Sequence, residues 1–372
     1  MAERLYLDWN ASAPTLAAAR DAAIAALLAG GNASSVHAEG RASRGIVETA
    51  RRALGARFAV SHEGVTFTSG GTEANAMALR PGVARDGGPP VERLVTAATE
   101  HPAVLAGGGF APADVTILPV DALGRVAPEA LAAALADPRP ALVSLMAANN
   151  ETGVVTNPAL FELARGAGAV THTDAVQAFG RVEDATLTAD LVTVSGHKLG
   201  APPGVGALIR RGVGVPALIK GGGQERGARG GTENVPAIAG LAAALAGPAA
   251  DPHAWEETRT ARDNFETALL EKFPKVTIFG RAAPRLPNTS LIALGAPAEL
   301  ALIGLDLAGV AVSSGAACSS GKVSVSHVLV AMGVPDALAR CAIRVSAGPM
   351  GAARAFERFL VALDEVIVPM TR

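Results

Sequence analysis

Leu191-Val192-Thr193-Val194-Ser195-Gly196-His197-Lys198 decides the fold. Its first half is an apolar, β-branched run with the length of a short buried strand, and its second half ends that strand with a small residue, an imidazole and a lysine. Upstream runs repeat the pattern: Val65-Thr66-Phe67-Thr68, Arg93-Leu94-Val95-Thr96, Val115-Thr116-Ile117-Leu118, Ala141-Leu142-Val143-Ser144-Leu145 and Ala169-Val170-Thr171-His172. Ala-rich helical stretches separate them, among them Glu73 to Leu79 and Pro128 to Ala136; Pro128 suits a helix start, where its missing N–H costs nothing. This strand–helix rhythm through residues 60–250 predicts an α/β fold on a mostly parallel sheet. Functional residues in such sheets gather at the carboxyl ends of strands.

The rhythm changes near Ala246-Gly247-Pro248 and Asp251-Pro252. A long helix is expected from His253 to about Lys272, followed by the strand-like Val276-Thr277-Ile278-Phe279 and Thr289-Ser290-Leu291-Ile292. Residues 15–250 therefore read as a large domain, and 251–372, joined by residues 1–14, as a smaller one. With 372 residues, 49% of them hydrophobic, the chain has ample material for both cores. A net charge of −2 gives no nucleic-acid surface or polybasic membrane patch. The N-terminus leads into a strand rather than a signal peptide, and Gly, Pro and charges interrupt every apolar run before it could span a bilayer, so a cytoplasmic location is expected. Two cysteines, Cys318 and Cys341, exclude a disulfide framework and a four-cysteine metal site; no metal site is expected.

Lys198 is costly to desolvate at a strand end unless it has a role. A Schiff base with pyridoxal phosphate fits, with Asp174, in His172-Thr173-Asp174-Ala175-Val176-Gln177, keeping the ring nitrogen protonated. Gln177 lies three residues on, which on one helical turn puts it on the same side, where it could donate to the ring's phenolate oxygen. Thr68-Ser69-Gly70-Gly71-Thr72-Glu73 offers backbone N–H groups of Gly71 and a hydroxyl of Thr72 to a phosphate at a helix N-terminus, or is simply a capped turn. It lacks the Lys-Ser/Thr ending of a P-loop. His101, in Thr99-Glu100-His101-Pro102, could lie against an aromatic ring or be an ordinary loop histidine. Asn149, in Asn149-Asn150-Glu151-Thr152-Gly153, could bond a ring oxygen or a substrate carboxylate, or form an Asx turn.

Arg226 to Asn234 is a basic, Gly-rich segment that could close over a second subunit's phosphate or be a surface loop. Arg344 interrupts a strand-like run and wants a buried anion, either a substrate carboxylate or a structural partner. Cys318 lies in Ser313-Ser314-Gly315-Ala316-Ala317-Cys318-Ser319-Ser320-Gly321, among Ser and Gly, the setting of an accessible, reactive thiol. Cys341 sits among apolar neighbours and reads as a small core hydrophobe.

Taken together, these residues resemble the cysteine desulfurases, pyridoxal-phosphate enzymes of the class V aminotransferase family, nearly end to end. The elements occur in order: Leu7-Asp8 with Asn10-Ala11, Ser34-Ser35-Val36-His37, Thr68 to Glu73, Glu100-His101-Pro102, Asn149-Asn150-Glu151, Asp174 to Gln177, Ser195 to Lys198, Gly221 to Glu225, Gly231 to Pro236, and Ser313 to Ser319 with Ser326 to Leu329. The resemblance implies the type I fold of pyridoxal-phosphate enzymes, with a mostly parallel seven-stranded sheet flanked by helices and a smaller α/β domain. It also implies roles. Lys198 would hold the cofactor and shuttle the Cα proton, and His101 would stack on the ring and assist proton transfer. Asp174 and Gln177 would face the ring; Gly71, Thr72, Ser195 and His197 would hold the phosphate; Thr232 would reach the partner's phosphate in a homodimer. Arg344 and Asn149 would bind the substrate carboxylate. Cys318 would accept sulfur from L-cysteine as a persulfide and pass it to an acceptor protein, for iron–sulfur cluster or thio-cofactor synthesis. Trp9, Ser12-Ala13 and Asn32-Ala33-Ser34 depart from the family pattern near the expected substrate entrance. The segment after Cys318 has the length of the long-loop group, while the end at Arg372 lacks the extended tail of some scaffold-binding members. Selenocysteine lysis or another class V reaction on the same scaffold is the alternative. A catalytically silent binding protein would lack Lys198, Asp174 or Cys318, and all are present.

Overall fold

Alternate residues of each central strand enter two different apolar cores. Leu94, Leu142, Val170, Leu191 and Leu208 pack on one face of the sheet, and Val95, Val143, Val192 and Ile209 on the other. A sheet covered on both faces needs apolar side chains at consecutive positions, which explains the uninterrupted hydrophobic runs. The structure, a computed structural model, describes residues 4–183, 185–315 and 325–371. Its central sheet has seven strands, in spatial order Val65–Thr68, Gly206–Arg210, Leu191–Ser195, Val170–Asp174, Ala141–Ser144, Arg93–Ala97 and Val115–Leu118. The last five are mutually parallel, and Gly206–Arg210 runs antiparallel to both of its neighbours.

Gly206–Arg210 is the strand the sequence reading did not single out. It follows Leu191–Ser195 after a connection too short for a helical crossover, so it must return antiparallel. That short connection holds Lys198. Gly196 opens it as a 3-10 turn, with its N–H on the Val205 carbonyl and its own carbonyl accepting from Leu199 and Ala201. Gly206 is required by close packing, because a Cβ there would stand 2.6 Å from the Gly70 backbone.

A second sheet, antiparallel throughout, has the order Thr277–Phe279, Thr289–Ala293, Ala342–Ser346, Ser313–Ser314. Helices Glu256–Lys272 and Ala352–Thr371 pack on it, with Phe265 stacked on Phe356 at 4.9 Å between ring centroids. The expected start at His253 is a separate 3-10 turn, Pro252–Trp255, capped by the Asp251 carboxylate. The N-terminus belongs to this second assembly: Leu5–Tyr6 pairs with Val310–Ala311, Asp8 bridges to Ser346, and Leu5 and Leu7 enter the same core as Ile343 and Val345. The chain then crosses to the large sheet, where Ala13 and Leu16 donate to the carbonyls of His197 and Gly200. Among the described residues no helix is long and apolar enough to cross a membrane, and no cluster of His, Cys, Asp or Glu is arranged to hold a metal ion.

Candidate active site

The carboxyl ends of the central strands open into a cavity of about 430 Å³, closed on its far side by the N-terminal crossing segment and by Arg344 of the second sheet. At one end, helix Gly71–Ala78 points its first turn into the cavity, and Gly71, Thr72, Ser195 and His197 line that end. Unsatisfied N–H groups at a helix start favour an anion. Gly71 has no room for a side chain, since a Cβ would stand 2.8 Å from Val176 Cγ2. His197 is neutral: burial, reinforced by Lys198 and Arg181, lowers its pKa to about 4, and its Nδ1 lies 3.3 Å from Ser12 Oγ. It can therefore serve an anion as a neutral hydrogen-bonding group.

Asp174 ends its strand at the cavity wall. Its Oδ2 accepts from Asn75 Nδ2 at 2.7 Å and its Oδ1 from the Val176 N–H at 3.0 Å. Both carboxylate oxygens are thereby aimed, which suits a fixed partner for a ring N–H. Gln177 follows on a turn rather than a helix, yet it too lines the cavity. Lys198 donates to the carbonyls of Asn10 and Ala11, at 2.6 and 2.7 Å. His101 caps the short helix Pro102–Leu105, its Nδ1 accepting from the Ala103 N–H at 3.1 Å. Burial, together with Lys198 and His327, lowers its pKa against the opposing effect of Asp174. Its neutral ring thus carries the proton on Nε2.

Arg344 projects from the centre of the second sheet. Its Nη2 pairs with Asp8 at 2.8 Å and its Nη1 donates to the Asn150 carbonyl at 3.0 Å, while Nε is buried with no partner among the described residues. The guanidinium has a structural carboxylate, Asp8, and also lines the cavity.

Lys198, His101, Gly71, Thr72, Asp174, Gln177, Ser195, His197 and Arg344 thus line one cavity. Asn149, expected there from the sequence, does not. Its Nδ2 is spent on the Thr99 carbonyl and Met146 Sδ, and its Oδ1 accepts from Glu151, Thr152 and the Thr152 hydroxyl, so it forms the Asx turn and leaves Asn150 to line the cavity. Thr232 is exposed and borders a separate hollow with Ser69 and Arg229. Trp9 is also away from the cavity, packed edge-on against Trp255 with centroids 6.2 Å apart. Cys318 lies outside the described residues. Cys341 is half-buried, with its thiol on the Ala337 carbonyl.

Two contributors had no role in the sequence reading. Asn75 orients Asp174, and an Asn inside a helix, where it is disfavoured, was the available signal. Asn10 was part of a motif, but its partners are scattered over the whole chain and no local pattern announces them.

Residues 5–355 match the aminotransferase class-V family. The chain is 44% identical over 98% of its length to a cysteine desulfurase of Cereibacter sphaeroides, 96% of which is covered, and 43% identical over 92% to one of Gluconacetobacter diazotrophicus, 88% of which is covered. Among solved structures, a NifS-like protein from Rickettsia africae superposes with a TM-score of 0.87 at 32% identity, covering 98% of this chain and 99% of the other. SspA in complex with cysteine superposes with a TM-score of 0.76 at 26% identity, covering 92% of this chain and 99% of the other. The chain belongs to the class V aminotransferase family and, within it, to the cysteine desulfurases.

Proposed function

We propose that this enzyme binds pyridoxal 5′-phosphate in the cavity described above and converts L-cysteine to L-alanine, transferring the sulfur to Cys318 as a persulfide. The observation that carries the reading is the joint placement of Lys198, Asp174, an anion-favouring helix start and Arg344 around one cavity. The donor set fits the cofactor: a carboxylate aimed by two hydrogen bonds for the ring nitrogen, Gly71, Thr72, Ser195 and neutral His197 for the phosphate, and an amine for the carbonyl carbon. When bound, pyridoxal phosphate supplies an electron-withdrawing ring that stabilises negative charge at the substrate's α carbon.

Asp174 keeps the ring nitrogen's proton in place, and Gln177 offers an N–H to the ring oxygen. Arg344 binds the substrate carboxylate as a two-armed donor, which orients the Cα–H bond toward Lys198. Lys198 removes the Cα proton and later returns it. His101, neutral with its proton on Nε2, exchanges a proton with the substrate sulfur. Cys318 attacks that sulfur as a thiolate: an S–S bond forms, the Cβ–S bond breaks with its electron pair going to carbon, and protonation of carbon completes alanine. The products, alanine and a Cys318 persulfide, contain all the atoms of L-cysteine and the enzyme thiol. The persulfide sulfur then passes to an acceptor protein for iron–sulfur cluster or thio-cofactor synthesis.

The active unit is proposed to be a cytoplasmic homodimer in which Thr232 reaches the partner's phosphate; its exposure outside its own chain's cavity supports this. The division into a large domain, 15–250, and a small one, 1–14 with 251–372, is supported by the separate cores and by the pairing of Leu5–Tyr6 with Val310–Ala311. The test is incubation of the pyridoxal-phosphate-loaded protein with L-cysteine, measuring alanine and protein-bound persulfide together. Equal amounts are expected in the first turnover. Cys318→Ala is expected to bind the cofactor with an unchanged visible spectrum and to form no persulfide. Undiminished sulfur release by that variant would remove Cys318 from the mechanism.

A further inference from the structure

Arg181 is a fully buried cation that no carboxylate pairs among the described residues. Its Nη1 donates to Gln177 Oε1 at 2.8 Å and to Asn10 Oδ1 at 2.6 Å, its guanidinium lies 5.4 Å from the centre of the Trp255 ring, and Nη2 is buried with no partner among the described residues. Burial lowers its pKa to about 9, with the charge of Arg344 acting in the same direction. An unpaired buried charge is expensive, and this one is spent on two neutral amides.

The chemistry of those amides shows its use. A guanidinium has donors only, so the amide that faces it must present oxygen. Gln177 Oε1 is therefore fixed toward Arg181, and its Nε2 is turned to the other side, where it donates to the Asn10 carbonyl at 2.9 Å. That carbonyl is an acceptor only, so both ends of the Gln177 amide are determined independently of each other. The Asn10 side chain is fixed in the same way: Oδ1 accepts from Arg181 and Asn288, and Nδ2 donates to the Asn150 carbonyl and Thr289 Oγ1. The same Asn10 carbonyl receives Lys198 Nζ at 2.6 Å. Gln177 and Lys198, which line the cavity, thus share one acceptor, and that acceptor belongs to a residue gripped by Arg181.

We propose that Arg181 is a positioning residue: acting through Asn10 and Gln177, it makes Gln177 an obligate N–H donor to the ring oxygen of bound pyridoxal phosphate and sets the rest position of the Lys198 amine. The inference rests on the proposed binding of that cofactor. Among the described residues, the charged or titratable groups lining the cavity are Asp174, His101, His197, Lys198 and Arg344, and the variants below leave all of them in place.

The test compares wild type with Arg181→Gln and Arg181→Lys by two readouts: the dissociation constant of pyridoxal phosphate from titration of the apo-protein, and the pH midpoint of the bound cofactor's visible absorption. A buried cation and a fixed N–H donor both favour the form of the chromophore with one proton fewer. Arg181→Gln removes the charge and one of the two constraints on the Gln177 amide, so its midpoint is expected to rise by about one pH unit and its cofactor affinity to fall about tenfold. Arg181→Lys keeps a donor-only cation and is expected to stay within a few tenths of a unit of wild type. A folded Arg181→Gln protein with wild-type midpoint and affinity overturns the proposal. If that variant does not fold, Asn10→Ser decides: it deletes the Oδ1 that Arg181 grips, and unchanged midpoint and affinity overturn the proposal equally. Failure of the wild-type protein itself to bind pyridoxal phosphate would instead remove the proposed function.

Discussion

The cavity has two walls of different origin. The wall carrying Asp174, Gln177 and Lys198 is made from the ends of two neighbouring parallel strands, and its hydrogen bonds include short-range ones such as Val176 to Asp174, two residues apart. The wall carrying Asn10 and Arg344 is assembled from distant parts of the chain: Arg344 meets Asp8 across 336 residues, and Asn10 meets Thr289 across 279. The first wall presents a carboxylate, an amide and an amine, and Asn10 of the second holds the amide and the amine at fixed angles. A strand end can present a functional group by itself, but orienting it requires packing from elsewhere.

Changes in the first wall should therefore remove chemistry, and changes in the second should mainly weaken binding. Lys198→Ala carries the largest expected effect: turnover of L-cysteine falls by about 10³-fold or more, because no other lysine among the described residues lines the cavity to move the Cα proton, and added cofactor dialyses away. Alanine release and retained absorbance after dialysis check this. Asp174→Asn is expected to cut kcat by about 10²-fold while the protein stays folded, since the neutral amide no longer stabilises a protonated ring nitrogen. Arg344→Lys tests the assembled wall. Losing the two-armed donor should cost about 2 kcal/mol, roughly 30-fold in kcat/KM, expressed mainly as a higher KM. A selective loss of kcat in this variant would mean that the second wall also contributes to the chemical step.

The smallest expected effect concerns stability beneath the first wall. His172 is buried in the sheet, its Nδ1 2.8 Å from Ser144 Oγ and its Nε2 3.0 Å from Thr193 Oγ1, and burial lowers its pKa to about 3. Because the folded pKa lies below the unfolded value of about 6.5, the unfolded chain takes up a proton first as the pH falls. The contribution is fully present above pH 6.5 and is lost progressively below it, by about 2 kcal/mol at pH 5. Urea unfolding at pH 7 and pH 5 measures this. A midpoint independent of pH would show that no histidine in the sheet is held neutral by folding.

The same division separates what could be read from the sequence from what could not. Continuous runs such as Leu191 to Val194 announce buried strands because both faces of the sheet are covered, and Ser195 to Lys198 sits at the predicted strand end. Gly206–Arg210 was missed because its direction follows from the shortness of the connection before it rather than from its own residues. Asn149 and Asn150 were indistinguishable as types. The backbone of the Asn149–Gly153 turn consumed the first amide and brought the second to the cavity. Arg181 stood within Ala178-Phe179-Gly180-Arg181-Val182 with no motif to mark it.

The sequence by itself determined which chemistry is present: an amine, an imidazole, a carboxylate, a glycine-opened helix and a thiol, at strand ends or in a small-residue segment. These are properties of side-chain type and short-range order. Only the tertiary structure decided how the amides of Asn10, Gln177 and Asn149 are turned and whether Arg344 and Arg181 face the site or its support. An amide reads as donor or acceptor according to the partner that packing brings to it, and the partners of the Asn10 amide arrive from strands and turns 140 to 279 residues away.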